Sequence, residues 1–222
     1  NQDISNWNTS NVTRMANLFN GAILFNQPIE NWERNGSTLA NVTNMSSMFQ
    51  EASVFNQPIG DWNVLNVTNM SSMFDEASAF NQPLNNWERT GSTLANVTNM
   101  SSMFNEASVF NQDISSWSVS NVTNMSSMFR LALAFDQPLN IWERTGSTLA
   151  NVTDMMGMFQ GAVSFNQNLS GWNVSSVTNM NSMFKQALEF NQPLNNWERF
   201  DSTLANVTNM ASMFEGMWDD VN

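Results

Sequence analysis

The sequence predicts an α/β repeat solenoid of eight stacked coils, alternately short and long, each made of a short helical segment and a short strand. Three observations carry that prediction. The phrase NVTNMSSMF at Asn41–Phe49 returns unchanged at Asn66–Phe74, Asn96–Phe104 and Asn121–Phe129, and near-copies start at Asn11, Asn151, Ser176 and Asn206. Cutting the chain after the Phe of each F-N-Q phrase gives units 1–25, 26–55, 56–80, 81–110, 111–135, 136–165, 166–190 and 191–222. The true repeat is therefore one short coil plus one long coil, as over 1–55 and again over 56–110. The composition is that of one unit copied many times: 17 Met, 16 Phe and 9 Trp accompany no Tyr, His or Cys.

Within a unit the apolar positions are fixed. From Val67 they run Met70, Met73, Phe74, Ala77 and Phe80, then Leu84 and Trp87. Steps of i, i+3, i+6, i+7 and i+10 follow one helical face, which predicts a short helix or a run of helical turns over VTNMSSMFDEA. The Thr or Asn before it is a good N-cap, because its side-chain oxygen accepts an orphan backbone N–H. F-N-Q-P reads as a turn: five of the eight units carry Pro there (Pro28, Pro58, Pro83, Pro138 and Pro193), and Pro cannot donate to a ladder. The segment around Trp (NWNV, SWSV, NWER) is the predicted strand. Every second coil is lengthened by an insertion after Trp, as in NWERTGSTLANVTNM at Asn86–Met100 against DWNVLNVTNM at Asp61–Met70.

One such unit cannot bury its own apolar face, whereas stacked copies can. The predicted core is a column of Trp7, Trp32, Trp62, Trp87, Trp117, Trp142, Trp172 and Trp197, flanked by columns of Phe and Met. Each large side chain buried contributes about 1.5–3 kcal/mol, enough for a cooperative array without disulfides. Regularly spaced aromatics also exclude the disordered, Asn-rich reading of the composition.

The composition narrows function. A chain without His or Cys has no Ser-His-Asp or Cys-His nucleophile, no thiolate and no ordinary zinc site. Its carboxylates (Asp61, Asp75, Asp113, Asp154 and Asp201) do not repeat in register, so they form neither a calcium-binding repeat nor a paired acid and base. No cofactor is expected, and the chain is read as non-enzymatic. A net charge of −12 with seven Lys and Arg argues against nucleic acid and against an anionic membrane surface. No apolar run approaches the roughly 18–20 residues of a spanning helix, so no membrane insertion is expected. The chain begins with Asn1 rather than Met and in phase with a repeat, which reads as a processed product or an excerpt of a longer array.

The recurring pattern V-T-x-M-x-x-M-F-x-x-A-x-x-F-N-Q-x-L-x-x-W resembles the bacterial surface-protein repeat of about 26 residues, in the BspA-like branch of leucine-rich-repeat proteins. Nearly the whole chain follows it. The resemblance implies a leucine-rich-repeat-like solenoid at the cell surface or outside the cell, serving adhesion or surface architecture. Alternate units depart from the pattern by their insertion after Trp, and the last unit ends GMWDDVN, with Asp220 in place of Phe.

Two side-chain columns are candidate sites. Asn-x-Ser/Thr is the acceptor for N-glycosylation, and N-V-T recurs at Asn11, Asn41, Asn66, Asn96, Asn121, Asn151 and Asn206. N-M-S follows at Asn44, Asn69, Asn99 and Asn124, with isolated acceptors at Asn8, Asn35, Asn168 and Asn173. The same Asn and Thr serve equally as caps and ladder residues that satisfy the backbone. Coils stacked about 5 Å apart would crowd a fully glycosylated column, so any sugars present are expected at partial or alternating occupancy, favouring the lengthened coils. The second column is an edge charge ladder on the long coils: Glu33-Arg34, Glu88-Arg89, Glu143-Arg144 and Glu198-Arg199. It reads as a solvated edge worth little per pair, or as a contact between neighbouring solenoids.

Two functional classes follow. The first is a non-catalytic extracellular structural protein forming a fibre, coat or adhesive stalk, with other copies of itself as partners end to end or side by side. The second is an adhesin-type module recognising a host protein or glycan. A surface patch that breaks the repeat would favour the second; the candidates are Arg130-Leu131, Lys185-Gln186 and Phe200-Asp201.

Overall fold

The computed structural model describes residues 1–33, 38–89, 93–143, 148–198 and 203–217. Arg34, Asn35, Arg144, Arg199, Phe200, Asp201 and Asp220 lie outside the described residues, as does the Glu198 side chain. The chain is a repeat solenoid. A parallel ladder runs through Arg14, Asn44, Asn69, Asn99, Asn124, Asp154, Asn179 and Asn209, one residue per coil. Its steps alternate between long and short, as from Arg14 to Asn44 and then from Asn44 to Asn69.

The local structure differs from the predicted helix and strand. The strand-like contact lies at Thr-Asn-Met, not at Trp. There the backbone N–H of each Thr donates to the carbonyl of the Thr one coil earlier, as in Thr68 to Thr43 and Thr98 to Thr68, both 2.9 Å. β-branched Val and Thr favour this extended path. The Trp segment is a tight turn: Trp62 N–H closes on Ile59 C=O at 3.1 Å and Trp87 on Leu84 at 3.1 Å. In the long coils it forms single 3₁₀ turns, Glu30–Glu33, Asn85–Trp87, Asn140–Trp142 and Asn195–Glu198.

No α-helix forms over M-S-S-M-F among the described residues, because alternate N–H groups are committed to the next coil. Met45, Ser47, Phe49 and Glu51 donate to Asn69, Ser71, Met73 and Asp75 at 2.7–3.0 Å. The intervening Met48, Gln50 and Ala52 close short turns on Met45, Ser47 and Phe49. An α-helix would direct every one of these groups to a carbonyl within its own segment. Turning them outward requires positive φ at two places in each coil, as at Ser47 (53°) and Glu51 (59°) or Gly157 (59°) and Gly161 (66°). Left-handed backbone costs a non-Gly residue about 1–2 kcal/mol. That cost recurs down the array and is offset by one cross-coil bond at each such position.

The inward residues are those the spacing selects: Met45, Met48, Phe49, Ala52 and Phe55 are wholly buried, and so are their counterparts in the inner coils. Two Phe columns run side by side, with Phe49 and Phe55 rings 4.0 Å apart in one coil and Phe49 and Phe74 5.6 Å apart between coils. The Trp rings pair from each long coil to the short one after it: Trp32 on Trp62, Trp87 on Trp117, Trp142 on Trp172, at 5.8–6.1 Å. Trp32 through Trp197 are buried, but Trp7 is 56% exposed, a correction to the predicted core column. Among the described residues no neighbouring coil covers its indole.

Candidate functional site

The polar repeat positions form ladders along the solenoid, and their geometry defines what its surface offers. In N-V-T the Val points into the core, while Asn and Thr bond backward along the axis. Nδ2 of Asn41, Asn66, Asn96, Asn121, Asn151 and Asn206 donates to a carbonyl of the preceding coil (Ser10, Ala40, Leu65, Ala95, Ser120 and Ser175) at 2.6–2.7 Å. Each Thr Oγ1 donates to the same Thr carbonyl that takes the backbone N–H, as in Thr68 to Thr43 at 3.1 Å and Thr98 to Thr68 at 3.2 Å. The next residue shapes the turn: Asn44, Asn69, Asn99 and Asn124 accept from the backbone N–H two positions on, at 2.8–2.9 Å, the local Asx geometry that competes with helix. The N-V-T Asn residues are exposed, but among the described residues the atom that would carry a sugar is a ladder donor in every N-V-T except Asn11.

A second ladder lies at F-N-Q, where the sequence predicts only a turn. Oδ1 of Asn81 accepts both Asn111 N–H at 3.0 Å and Gln112 Nε2 at 2.9 Å. The same pair of bonds recurs at Asn26, Asn56, Asn111 and Asn166, and at Asp136. The legible signal is that Asp136, the one non-Asn in these units, keeps the acceptor oxygen. A third ladder is the indole N–H, which donates to the Ile or Leu carbonyl of the preceding coil: Trp87 to Ile59 at 3.0 Å, Trp117 to Leu84 at 3.3 Å.

Of the expected edge charge ladder, Glu33, Glu88, Glu143 and Arg89 lie among the described residues. Glu33, Glu88 and Glu143 are half-buried and fasten the base of the long-coil insertion. Glu88 accepts from Thr93 Oγ1 at 3.1 Å, from Leu94 N–H at 2.7 Å and from Ser118 N–H of the next coil at 3.1 Å. Glu33 and Glu143 bond likewise to Leu39 and Asn63, and to Leu149 and Asn173. Arg89 turns away from this clamp to Asp61 of the preceding coil, at 3.2 Å. Among the described residues these carboxylates accept from hydroxyl and backbone N–H groups, and the amides of an insertion need such acceptors.

One stretch of surface breaks the repeat electrostatically. Glu51, Glu76 and Glu106 occupy one column, with Asp75 beside them. Burial pushes the Asp75 carboxyl above its ordinary value, reinforced by Glu106 and Glu51 and opposed by the bond from Asn105 at 2.6 Å. Glu76 is raised by the same burial and neighbours. Arg130 closes the patch on Glu106 at 2.8 Å. Lys185 holds Glu215 of the following coil below the usual carboxylate range through a 2.6 Å bond. Among the described residues no cluster of three acidic side chains is placed to hold a metal ion, and no helix is long and apolar enough to cross a membrane.

The profile of the family described as "Mycoplasma protein of unknown function, DUF285" matches residues 1–94, 92–148 and 145–219, three tandem segments spanning nearly the whole chain. The chain belongs to this family. No curated protein matches it. The DUF285 matches and the ladders agree in describing a tandem array, and the family description carries no activity.

Proposed function

We propose that this DUF285 chain is a non-catalytic structural segment of a cell-surface or extracellular protein, a turn-rich relative of the BspA-like, leucine-rich-repeat-like solenoids, building a fibre, coat or adhesive stalk. The observation that carries the reading is where the polar side chains go. The ladder Asn and Thr, the F-N-Q Asn and Gln, the indole N–H and the clamp Glu bond coil to coil. A surface whose polar groups are taken up by its own backbone favours a stiff spacer over a reactive cleft. In this reading the N-V-T column is first a scaffold element. Asn11, whose amide makes no such bond among the described residues, is the N-V-T position at which a sugar fits without disturbing the described ladder.

An adhesin-type binding module is the second reading. It is favoured by exposed apolar side chains in two adjacent columns just ahead of the F-N-Q Phe: Ile23, Leu24, Val54, Val109, Leu133 and Leu188.

Brief protease treatment of intact cells that make the protein tests the location. Release of its peptides without lysis is expected, and full protection would overturn the surface reading. Intact mass before and after enzymatic deglycosylation, followed by peptide mapping, decides the column. Sugar on Asn66 or Asn96 at full occupancy would contradict the scaffold role of their amides.

A further inference from the structure

Three residues that depart from the repeat meet in one cleft. Two positions before the repeat Trp the eight units carry Ser or Asn, except for Glu30 and Gly60. One position before it, Asp61 is the one charged residue of the eight. All three line a cleft of about 190 Å³, shared with Pro83, Asn85 and Asn86 of the following coil. Copying one unit does not account for this combination.

The cleft is lined with oxygen. Glu30 Oε2 is buried and has no hydrogen-bond partner among the described residues. Because Gly60 has no Cβ, the Pro83 carbonyl oxygen can stand 2.6 Å from where that carbon would lie. It accepts no backbone N–H among the described residues. Asp61 Oδ1 accepts from Asn86 Nδ2 at 3.3 Å and from Arg89 Nη1 at 3.2 Å. That leaves Asp61 Oδ2 and the Asn86 side-chain carbonyl as further acceptors. Among the described residues no basic side chain lines the cleft itself.

A buried carboxylate oxygen without a donor is costly unless a cation or a proton offsets it. Carboxylate, amide and backbone oxygens, without nitrogen or sulfur donors, suit a hard cation. Calcium tolerates irregular sets of about six to eight oxygens, water included, whereas magnesium demands a near-ideal octahedron. Oxygens drawn from three coils around a Gly are such an irregular set.

We propose that this cleft binds one calcium ion, with Glu30 and Asp61 as charged ligands and the Pro83 carbonyl and the Asn85 and Asn86 amides as neutral ones. It is a mixed-oxygen site with two carboxylates, distinct from the three-acid clusters that are absent among the described residues. With Arg89 already on one carboxylate, the affinity falls in the weak class, about 10⁻⁴–10⁻³ M. The bound ion ties units 26–55, 56–80 and 81–110 together through their side chains. The site goes beyond both functional readings above and depends on neither.

Calorimetric titration of the purified 222-residue chain with calcium chloride reads the site, and thermal melts with and without calcium read its linkage to folding. One saturable event per chain is expected, with a melting temperature about 3–10 °C higher at roughly 10–100 times Kd. Glu30→Gln should weaken binding roughly tenfold or more and abolish the melting shift. Asp61→Asn carries the same test on the second charged ligand and should weaken binding as well. Glu189→Gln, which removes an exposed carboxylate in another coil, should change neither readout. Absence of saturable binding up to about 10 mM calcium, well above the weak class, overturns the proposal. So does binding that survives in both Glu30→Gln and Asp61→Asn, or that falls equally in Glu189→Gln, since that is diffuse attraction to a chain of charge −12.

Discussion

Removing one rung of the F-N-Q ladder isolates what a side-chain acceptor contributes to a column built largely of backbone. Asn81→Ala deletes the oxygen that takes Asn111 N–H at 3.0 Å and Gln112 Nε2 at 2.9 Å. A buried donor left without a partner costs about 1–3 kcal/mol. Both donors are half-buried and Gln112 is free to turn to water, so the loss should fall near ~1–2 kcal/mol. For a chain of this size that is a drop of roughly 2–8 °C in melting temperature. The column contains its own control, since Asp136 accepts Asn166 N–H and Gln167 Nε2, both at 2.9 Å, in the same place. Asn81→Asp should therefore keep both bonds and stay within about 0.5 kcal/mol of the parent. Thermal melts give the global effect. Because repeat arrays do not always unfold in one step, hydrogen exchange at the Asn111 amide gives the local one, and it should quicken in the Ala variant alone. Equal stability and equal Asn111 protection in the two variants would refute the ladder as a source of stability.

Two further outcomes follow from the packing and the charge. Gly60 is a position where a Cβ would lie 2.6 Å from the Pro83 carbonyl oxygen, whereas one at Gly171 would meet nothing within 4 Å. Gly60→Ala should cost about 1–3 kcal/mol through forced backbone movement and Gly171→Ala should be neutral or slightly stabilising, as paired urea titrations would show. Asp75 is raised above 3.8 in the folded chain, so the folded state holds its proton more tightly than the unfolded state and stability rises as pH falls from neutral through the raised value towards 3.8. Asp75→Asn should stabilise the protein at neutral pH and flatten that part of the pH profile; a variant whose melting temperature keeps the parental pH dependence would show that other carboxylates are responsible.

The number of coils, their alternating length and the identity of the inward side chains are legible because each is a matter of recurrence. A spacing such as Met70, Met73, Phe74, Ala77 states which residues share a side, and a string of tight turns meets it as well as a helix does. What decides between them is the destination of alternate N–H groups, which depends on a neighbour one whole coil away and has no local signature. Strand character falls not on the Trp segment but on the β-branched Val-Thr pair, whose side chains are the better guide to the extended path. The Glu of W-E-R reads with its Arg neighbour as a charge pair. Its restriction to the long coils is the clue that it serves the insertion, and only the fold brings Leu94 and Ser118 to it.

A column whose cross-links all run between adjacent coils has a particular mechanical character. Pulled from its ends, it loads its coil junctions in series, and a coil held by a neighbour on one side only is the first to peel away. Each release exchanges about 4.8 Å of axis for a whole coil of extended chain, which at ~3.3–3.6 Å per residue is roughly 80–110 Å of slack. Tension would thus be met in discrete, alternating increments of extension, one coil at a time, with the uncoiled remainder still intact and ready to rewind.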